Sequence, residues 1–287
     1  MGLLDGLSNM GLGKLEGAEI FEEEKKPEAP KREEPKPKAE PEFDENDVLF
    51  DKSVQCPVCD KKFSYRAVRT GKARLIGQDP DLRPKYDKFD PSKYDVIVCP
   101  DCGYAVLTRY FAALPSAQIK LLKEGIGGRV RGVSNSPVLS YDDAIQRYQL
   151  ALASSIVKHA KDSEKAYVCL KMGWVMRGKR ETIPVDAPDY DEQVTELNKD
   201  ENEALKAAYE GFVSARQKEN FPIAGMDEVT VDYLIAVLAT RFGEFDTAQK
   251  LISGILTNKA ANSRIKDRTR DLKEMVLEQM KMKGEFS

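Results

Sequence analysis

Two matched pairs of cysteines carry the plainest chemistry in this chain: Cys56-Pro57-Val58-Cys59 and Cys99-Pro100-Asp101-Cys102, the second followed by Gly103. A Cys-x-x-Cys spacing sets two thiolates on one tight turn, where both reach the same metal ion. Two such knuckles complete a tetrahedral four-sulfur site of the kind Zn²⁺ fills when its role is structural. Cys56, Cys59, Cys99 and Cys102 are therefore the expected metal ligands. With every coordination position taken by protein, no place is left for substrate or an activated water, so the site argues for a folded platform and against metal catalysis.

Elements on either side must hold the knuckles. Thirty-nine residues separate Cys59 from Cys99, more than compact zinc ribbons use. Within them, alternation from Phe63 to Arg69 predicts a strand ended by Gly71, and Ala73–Ile76 is its expected return. A loop with Pro80, Pro84 and Pro91 follows. Tyr94–Val98 is a β run delivering Cys99, and Tyr104–Leu107 leaves the second knuckle as a strand or short helix. Residues 48–115 thus form a small β-rich, zinc-ribbon-like module with a long loop on one side.

From Pro115 the apolar spacing becomes helical. Ser116 caps a helix to about Glu124, and Gly125, Gly127, Gly128 and Gly132 mark a hinge. Helices are expected over 142–160, 163–177, 199–219, 230–242, 246–256 and 263–281. Ala236, Gly243 and Ala248 resemble a tetratricopeptide unit, a helix-turn-helix whose small residues let paired helices pack closely. Tyr167, Leu170, Trp174 and Gly178 open a second copy, its partner helix (Ala208, Phe212, Ala215) delayed by an insertion, 181–198. Ala144, Tyr148 and Ala151 match a third, partial copy. The fold expected is mostly α: a β-rich metal module followed by a tetratricopeptide-like array over 116–287.

The charge is uneven. Residues 16–47 hold thirteen acidic and six basic side chains, leaving +4 on the remainder of a chain whose net charge is −3. Residues 22–47, built from Glu, Lys, Pro and Ala, read as a disordered linker. Ahead of it, residues 1–21 form a short apolar segment. Its Leu3, Leu4, Leu7 and Met10 fall on one helical face, as in a docking peptide. The sequence has no membrane span and no signal-peptide pattern, which points to a cytoplasmic protein with reduced thiols.

The knuckles with their flanks, Cys-Pro-Val-Cys-Asp-Lys-Lys-Phe63 and Tyr94-Asp-Val-Ile-Val-Cys-Pro-Asp-Cys-Gly-Tyr-Ala105, followed by such helices, resemble an uncharacterised bacterial family over about residues 50–260. The resemblance implies a fold and a metal site but no reaction. The Cys-Pro-x-Cys-Gly knuckle also resembles rubredoxin, where it holds a redox iron, so Fe is the second candidate metal. Rubredoxins are compact and acidic, whereas Arg66, Arg69, Lys72 and Arg74 and a long insert flank this site.

No catalytic constellation is visible, so the chain is not expected to be an enzyme. The single histidine, His159, lies at a helix end without a partner, and Gly125–Gly128 lacks the strand that a phosphate-binding turn follows. Carboxylates on these helices read as a solvated face. Cys169, Tyr167 and Trp174 read as core. The expected function is a protein- or peptide-binding adaptor. Its groove, counted from Tyr167 and Gly243, would be lined by Val168, Met172, Met176, Tyr233, Val237 and Arg241. That face lacks the lysine and asparagine set with which chaperone-binding tetratricopeptide proteins hold a terminal carboxylate. An apolar ligand is expected, and the chain's own Leu-rich N-terminus, in cis or from another copy, is the nearest. The alternative is nucleic-acid binding through Lys61, Lys62, Arg66, Arg69, Lys72 and Arg74, with Phe63 and Tyr65 for base stacking.

Overall fold

Strand β1 (Leu49–Gln55) runs into the first knuckle and strand β2 (Lys62–Val68) leaves it. The two pair antiparallel from Leu49↔Val68 to Gln55↔Lys62. This computed structural model describes residues 43–282 and 284; the proposed docking peptide and nearly all of the acidic linker lie outside them. Strands β3 (Leu75–Gln78) and β4 (Pro84–Tyr86) form a second hairpin. Strands β5 (Val96–Val98) and β6 (Ala105–Leu107) form a third, turned by the second knuckle. The expected return of β2 along Ala73–Ile76 is corrected: β2 pairs with β1, and β3 pairs with β4. A knuckle is itself a hairpin turn, with Cys56 N–H donating to Lys61 O at 2.9 Å, so the strand leaving it folds onto the strand entering it.

Seven helices follow: α1 (Ser116–Gly125), α2 (Tyr141–Val157), α3 (Asp162–Glu181), α4 (Tyr190–Lys218), α5 (Glu228–Arg241), α6 (Phe245–Thr257) and α7 (Ser263–Met282). Ser140 starts α2 with a capping box: its hydroxyl accepts from Asp143 N–H at 3.1 Å, and the Asp143 carboxylate accepts from Ser140 N–H at 2.9 Å. Helix α4 begins nine residues before the expected Lys199, so the insertion shrinks to a short loop. Its first turns are polar with sparse apolar spacing, and only Leu197 among its first ten residues is buried.

Consecutive helices pack on one another around three apolar centres. Leu170, Trp174, Leu205, Phe212 and Leu234 join α3, α4 and α5. Tyr233, Phe245, Ile252 and Leu272 join α5, α6 and α7. The third centre puts Val96, Val98, Ala105 and Leu107 of β5–β6 against Ala144, Tyr148 and Ala151 of α2 and Val175 of α3. The cysteine-bearing segment is therefore packed onto the helices, and Phe43 onward forms one unit. None of the helices among the described residues is long and apolar enough to cross a membrane.

Small residues set the closest approaches. A Cβ at Gly211 of α4 would lie 2.8 Å from the Cβ of Ala166 of α3. Gly211→Ala is expected to destabilise the protein. Overpacking costs about 1–3 kcal/mol and exceeds the roughly 1 kcal/mol gained in helix propensity. A lower denaturation midpoint checks this, and an unchanged or raised one would show that α3 and α4 can part at no cost.

The insert is docked by charge. Arg177 of α3 donates to Asp79 at 2.8 Å, to Asp81 at 2.5 Å and to Glu201 of α4 at 2.9 Å. Arg83 forms a two-pronged bond with Glu181, at 2.9 and 2.8 Å. Asp81 and Glu201 are buried, so the expectation of a solvated acidic face on the helices fails for Glu201.

Candidate metal centre

Each knuckle is built the same way. In the first, Asp60 N–H donates to Cys56 O at 3.0 Å; in the second, Gly103 N–H donates to Cys99 O at 3.0 Å and Cys99 N–H to Tyr104 O at 2.8 Å. The fifth residue of each turn has positive φ, 62° at Asp60 and 77° at Gly103, where Gly and Asp are the residues that bear it best. Val58 N–H points at Cys56 Sγ at 3.4 Å, the kind of bond that favours a thiolate.

The four Sγ atoms all lie within 4.8 Å of one another. Cys56 and Cys102 are 3.6 Å apart, and Cys59 and Cys99 are 3.7 Å apart. These separations are far beyond the roughly 2.05 Å of a disulfide and match the roughly 3.8 Å between sulfurs around a tetrahedral metal with bonds of about 2.3 Å. Cys56, Cys99 and Cys102 are buried and Cys59 is partly so. Thiol contacts from Cys102 and then Cys56 pull Cys99 down to about 2, while its contacts with Cys56 and Cys99 push Cys102 up. Four sulfurs this close cannot all ionise without a cation, and a divalent ion supplies that charge. The donor set therefore suits one metal ion, and all four expected ligands meet at one point.

The surroundings hold this point rigidly. Cys56, Cys99 and Cys102 share an apolar cluster with Val58, Tyr104, Val106, Leu122 and Ile126, which brings α1 beneath the site. Lys61 of one turn pairs with Asp101 of the other at 2.6 Å. Gly128 N–H donates to Cys102 O at 3.2 Å, and a Cβ on Gly103 would lie 2.5 Å from Val130 Cγ2. The expected hinge at Gly125–Gly132 is corrected accordingly: the segment wraps the second knuckle, and Gly103 allows that close approach.

The other sequence-derived positions fall elsewhere. The expected groove is corrected. Val168, Met172 and Met176 are buried in the centre shared with β5–β6, and Tyr233 is buried against α6 and α7, with Val237 half-buried there too. The three positions on α3 face β5–β6 and α2, and that helix's opposite side meets α4 and α5, so neither side is left for a groove. Arg241 is exposed, and its guanidinium reaches Glu201 at 3.0 Å and Asn202 at 2.8 Å. Cys169 is buried in α3 with its thiol pushed up to about 11 by burial, an inert core position. Trp174 is core and donates to Asp81 at 3.2 Å. His159 is exposed just past α2.

A cluster of four cysteines between two hairpin turns, able to hold one metal ion and packed onto a run of helical hairpins, defines a cysteine-knuckle protein with a helical scaffold. The chain belongs to the family described as "Uncharacterized protein conserved in bacteria (DUF2225)", which it matches over residues 49–276. It is also 33% identical over 78 residues to an uncharacterised protein of Borreliella burgdorferi; the match covers 24% of this chain and 28% of that protein. No solved structure matches the chain.

Proposed function

We propose that the protein is a non-enzymatic protein- or peptide-binding adaptor, with a structural Zn²⁺ site that fixes a small β-module on a tetratricopeptide-like helical array. The closure of the sulfur site carries this reading. Four cysteines, three of them buried, wall a metal off from any substrate. The repeat likeness rests on the α5–α6 hairpin, where buried Ala236 and Ala248 meet the shared core and Gly243 turns the chain at φ 76°. With Val168, Met172, Met176 and Tyr233 buried in the core, the adaptor would need a partner surface other than the expected groove. A reducing, cytoplasmic setting keeps the thiols free for metal.

Nucleic-acid binding is less well supported. Lys61 is spent on Asp101, Arg66 on Asp51, Asn46 and Pro137, and Arg69 on Leu49 O and the Phe50 ring. That removes half of the six cations.

Elemental analysis with native mass spectrometry tests the metal: one Zn²⁺ per chain is expected, lost to a strong chelator. One iron with visible absorbance would move the reading to electron transfer, and no metal would remove it. The adaptor role predicts that a polypeptide co-purifying with the metal-loaded chain leaves it on Cys99→Ser. Turnover of a small substrate by the purified protein would overturn that role.

A further inference from the structure

Arg147 of α2 is a cation in search of an anion. It is half-buried, and it pairs with no carboxylate among the described residues. Its Nη2 donates to Ser134 O at 2.7 Å, while its Nε is buried with no partner there. Asp143, one turn earlier, spends its carboxylate on the Ser140 cap at 2.8 and 2.9 Å. Holding a loop carbonyl needs only a neutral donor; a guanidinium half-withdrawn from water, with its Nε buried and no carboxylate in contact, is a costly way to do it. Burial accordingly lowers the Arg147 pKa, with Asp143 only partly offsetting this.

Arg147 lines two adjoining cavities, of about 380 and 260 Å³, that share Val98, Pro100 and Asn135. The larger falls in the size range of small-molecule sites. Its walls combine Phe63 and Tyr65 of β2 with Tyr94, Val96 and Leu139, and Arg66 is its second cation. Asp51 is the only carboxylate on that wall and is turned toward Arg66 at 3.4 Å. A hollow with an aromatic and aliphatic side, a polar side formed by Ser64, Asn135 and Ser136, and an arginine with no carboxylate in contact matches a ligand with one acidic end and one greasy end.

We infer that the cavity between β2, β5 and the loop before α2 binds an organic carboxylate with an apolar body, the chemistry of a peptide's C-terminal residue, through Arg147 and the aromatic wall of Phe63 and Tyr65. A planar guanidinium fits a carboxylate better than a point charge would. The natural source of the ligand rests on the adaptor reading; the site itself does not.

The probe is N-acetyl-leucine titrated by calorimetry into the full-length, metal-loaded protein, against its uncharged C-terminal amide and against inorganic phosphate. The free acid is expected to bind at least about tenfold more tightly than either, as one charge-assisted bond implies. Arg147→Gln should remove that preference. Asn135→Trp, on the exposed loop residue that borders both cavities, should abolish binding while leaving the cation in place, so the answer survives if Arg147→Gln misfolds. Acid and amide binding alike, phosphate binding as tightly as the acid, or no binding of the acid would each overturn the site. Binding of the acid by a protein that keeps no polypeptide partner would leave the site standing and remove the adaptor. A partner retained fully by Arg147→Gln would keep the adaptor and place its contact elsewhere.

Discussion

Cys99→Ser, or stripping the metal with a chelator, is expected to loosen the knuckle end of the fold while leaving the helices intact. In isolated finger peptides a structural zinc is worth about 10–16 kcal/mol, and the apo peptide is unfolded. Here the loss is confined, because β5–β6 has a second support. Ala105 N–H donates to Ser154 of α2 at 3.1 Å, Tyr148 OH to Ser92 O at 3.0 Å, and Leu139 N–H to Tyr94 OH at 3.1 Å. Hairpin β1–β2 is held at its far end as well, where Val48, Leu49, Phe89, Tyr94 and Leu139 form their own cluster. Its near end, Gln55↔Lys62, would be tied to the second knuckle chiefly by a bound metal ion, beside the Lys61–Asp101 pair and the small apolar cluster of Val58, Phe63, Tyr104 and Val106. Amide hydrogen exchange should therefore rise steeply around 54–64 and in α1, whose Leu122 and Ile126 pack on the cysteines, and remain slow in α3, α4 and α5. Uniform loss of protection would mean that the metal holds the whole unit. No change would mean that the sulfurs need no ion. Acid should do the same as the chelator, since protons compete with metal for thiolates.

The contrast between what could and could not be read from the chain has a physical basis. Local chemistry was legible: a knuckle needs only five or six consecutive residues, and the strand that ends at Cys99 follows directly from the β-branched run at Val96–Val98, whereas Tyr104–Leu107 reads equally as strand or short helix until its pairing is known. The helices were legible because their apolar period is local too. Pairing between segments was not. Nothing in Ala73–Ile76 reveals that β3 pairs with β4. The groove positions failed for a related reason: a repeat template fixes which residues share a helix face, but not what covers that face. In this chain β5–β6 covers the face carrying Val168, Met172 and Met176. The buried charges were hidden most completely, because Glu201 sits among Lys199, Asp200 and Glu203 and looks like one more solvated acid. Its only signal was the company of Asp79 and Asp81 with Arg83 in an insert too long for a ribbon. Arg147 stood among polar neighbours in the same way, and only the cavities show that it lacks an anion.

Glu201→Gln is the substitution expected to destabilise the helical part most for the smallest change in shape. The Glu201 carboxylate is 0% exposed and takes Arg177 Nε at 2.9 Å, Arg241 at 3.0 Å and Arg180 through its other oxygen. Turning it into an amide removes one negative charge from among three guanidinium groups and places an N–H₂ against one of them. Removing one partner of a buried ion pair costs about 3–5 kcal/mol, whereas replacing a whole pair with apolar groups is often neutral. For a unit of this size that corresponds to a fall in Tm of roughly 10 °C. The network predicts non-additivity as well: Arg241→Gln alone should cost little, because Arg241 is exposed, and should cost less still once Glu201 is neutral. It also predicts acid sensitivity. Burial raises the Asp79 pKa, but hydrogen bonds from Lys85 and Arg177 outweigh it and hold the carboxyl below its ordinary value. A depressed folded value means that this stabilisation is present above the unfolded value and is lost as pH falls through the folded one, so the transition should steepen below about pH 4 and flatten in Arg177→Met. A Glu201→Gln protein within about 0.5 kcal/mol of the parent, the range of ordinary surface changes, would show that the three arginines find water or other partners, and that the ion network is not what ties the insert to α3 and α4.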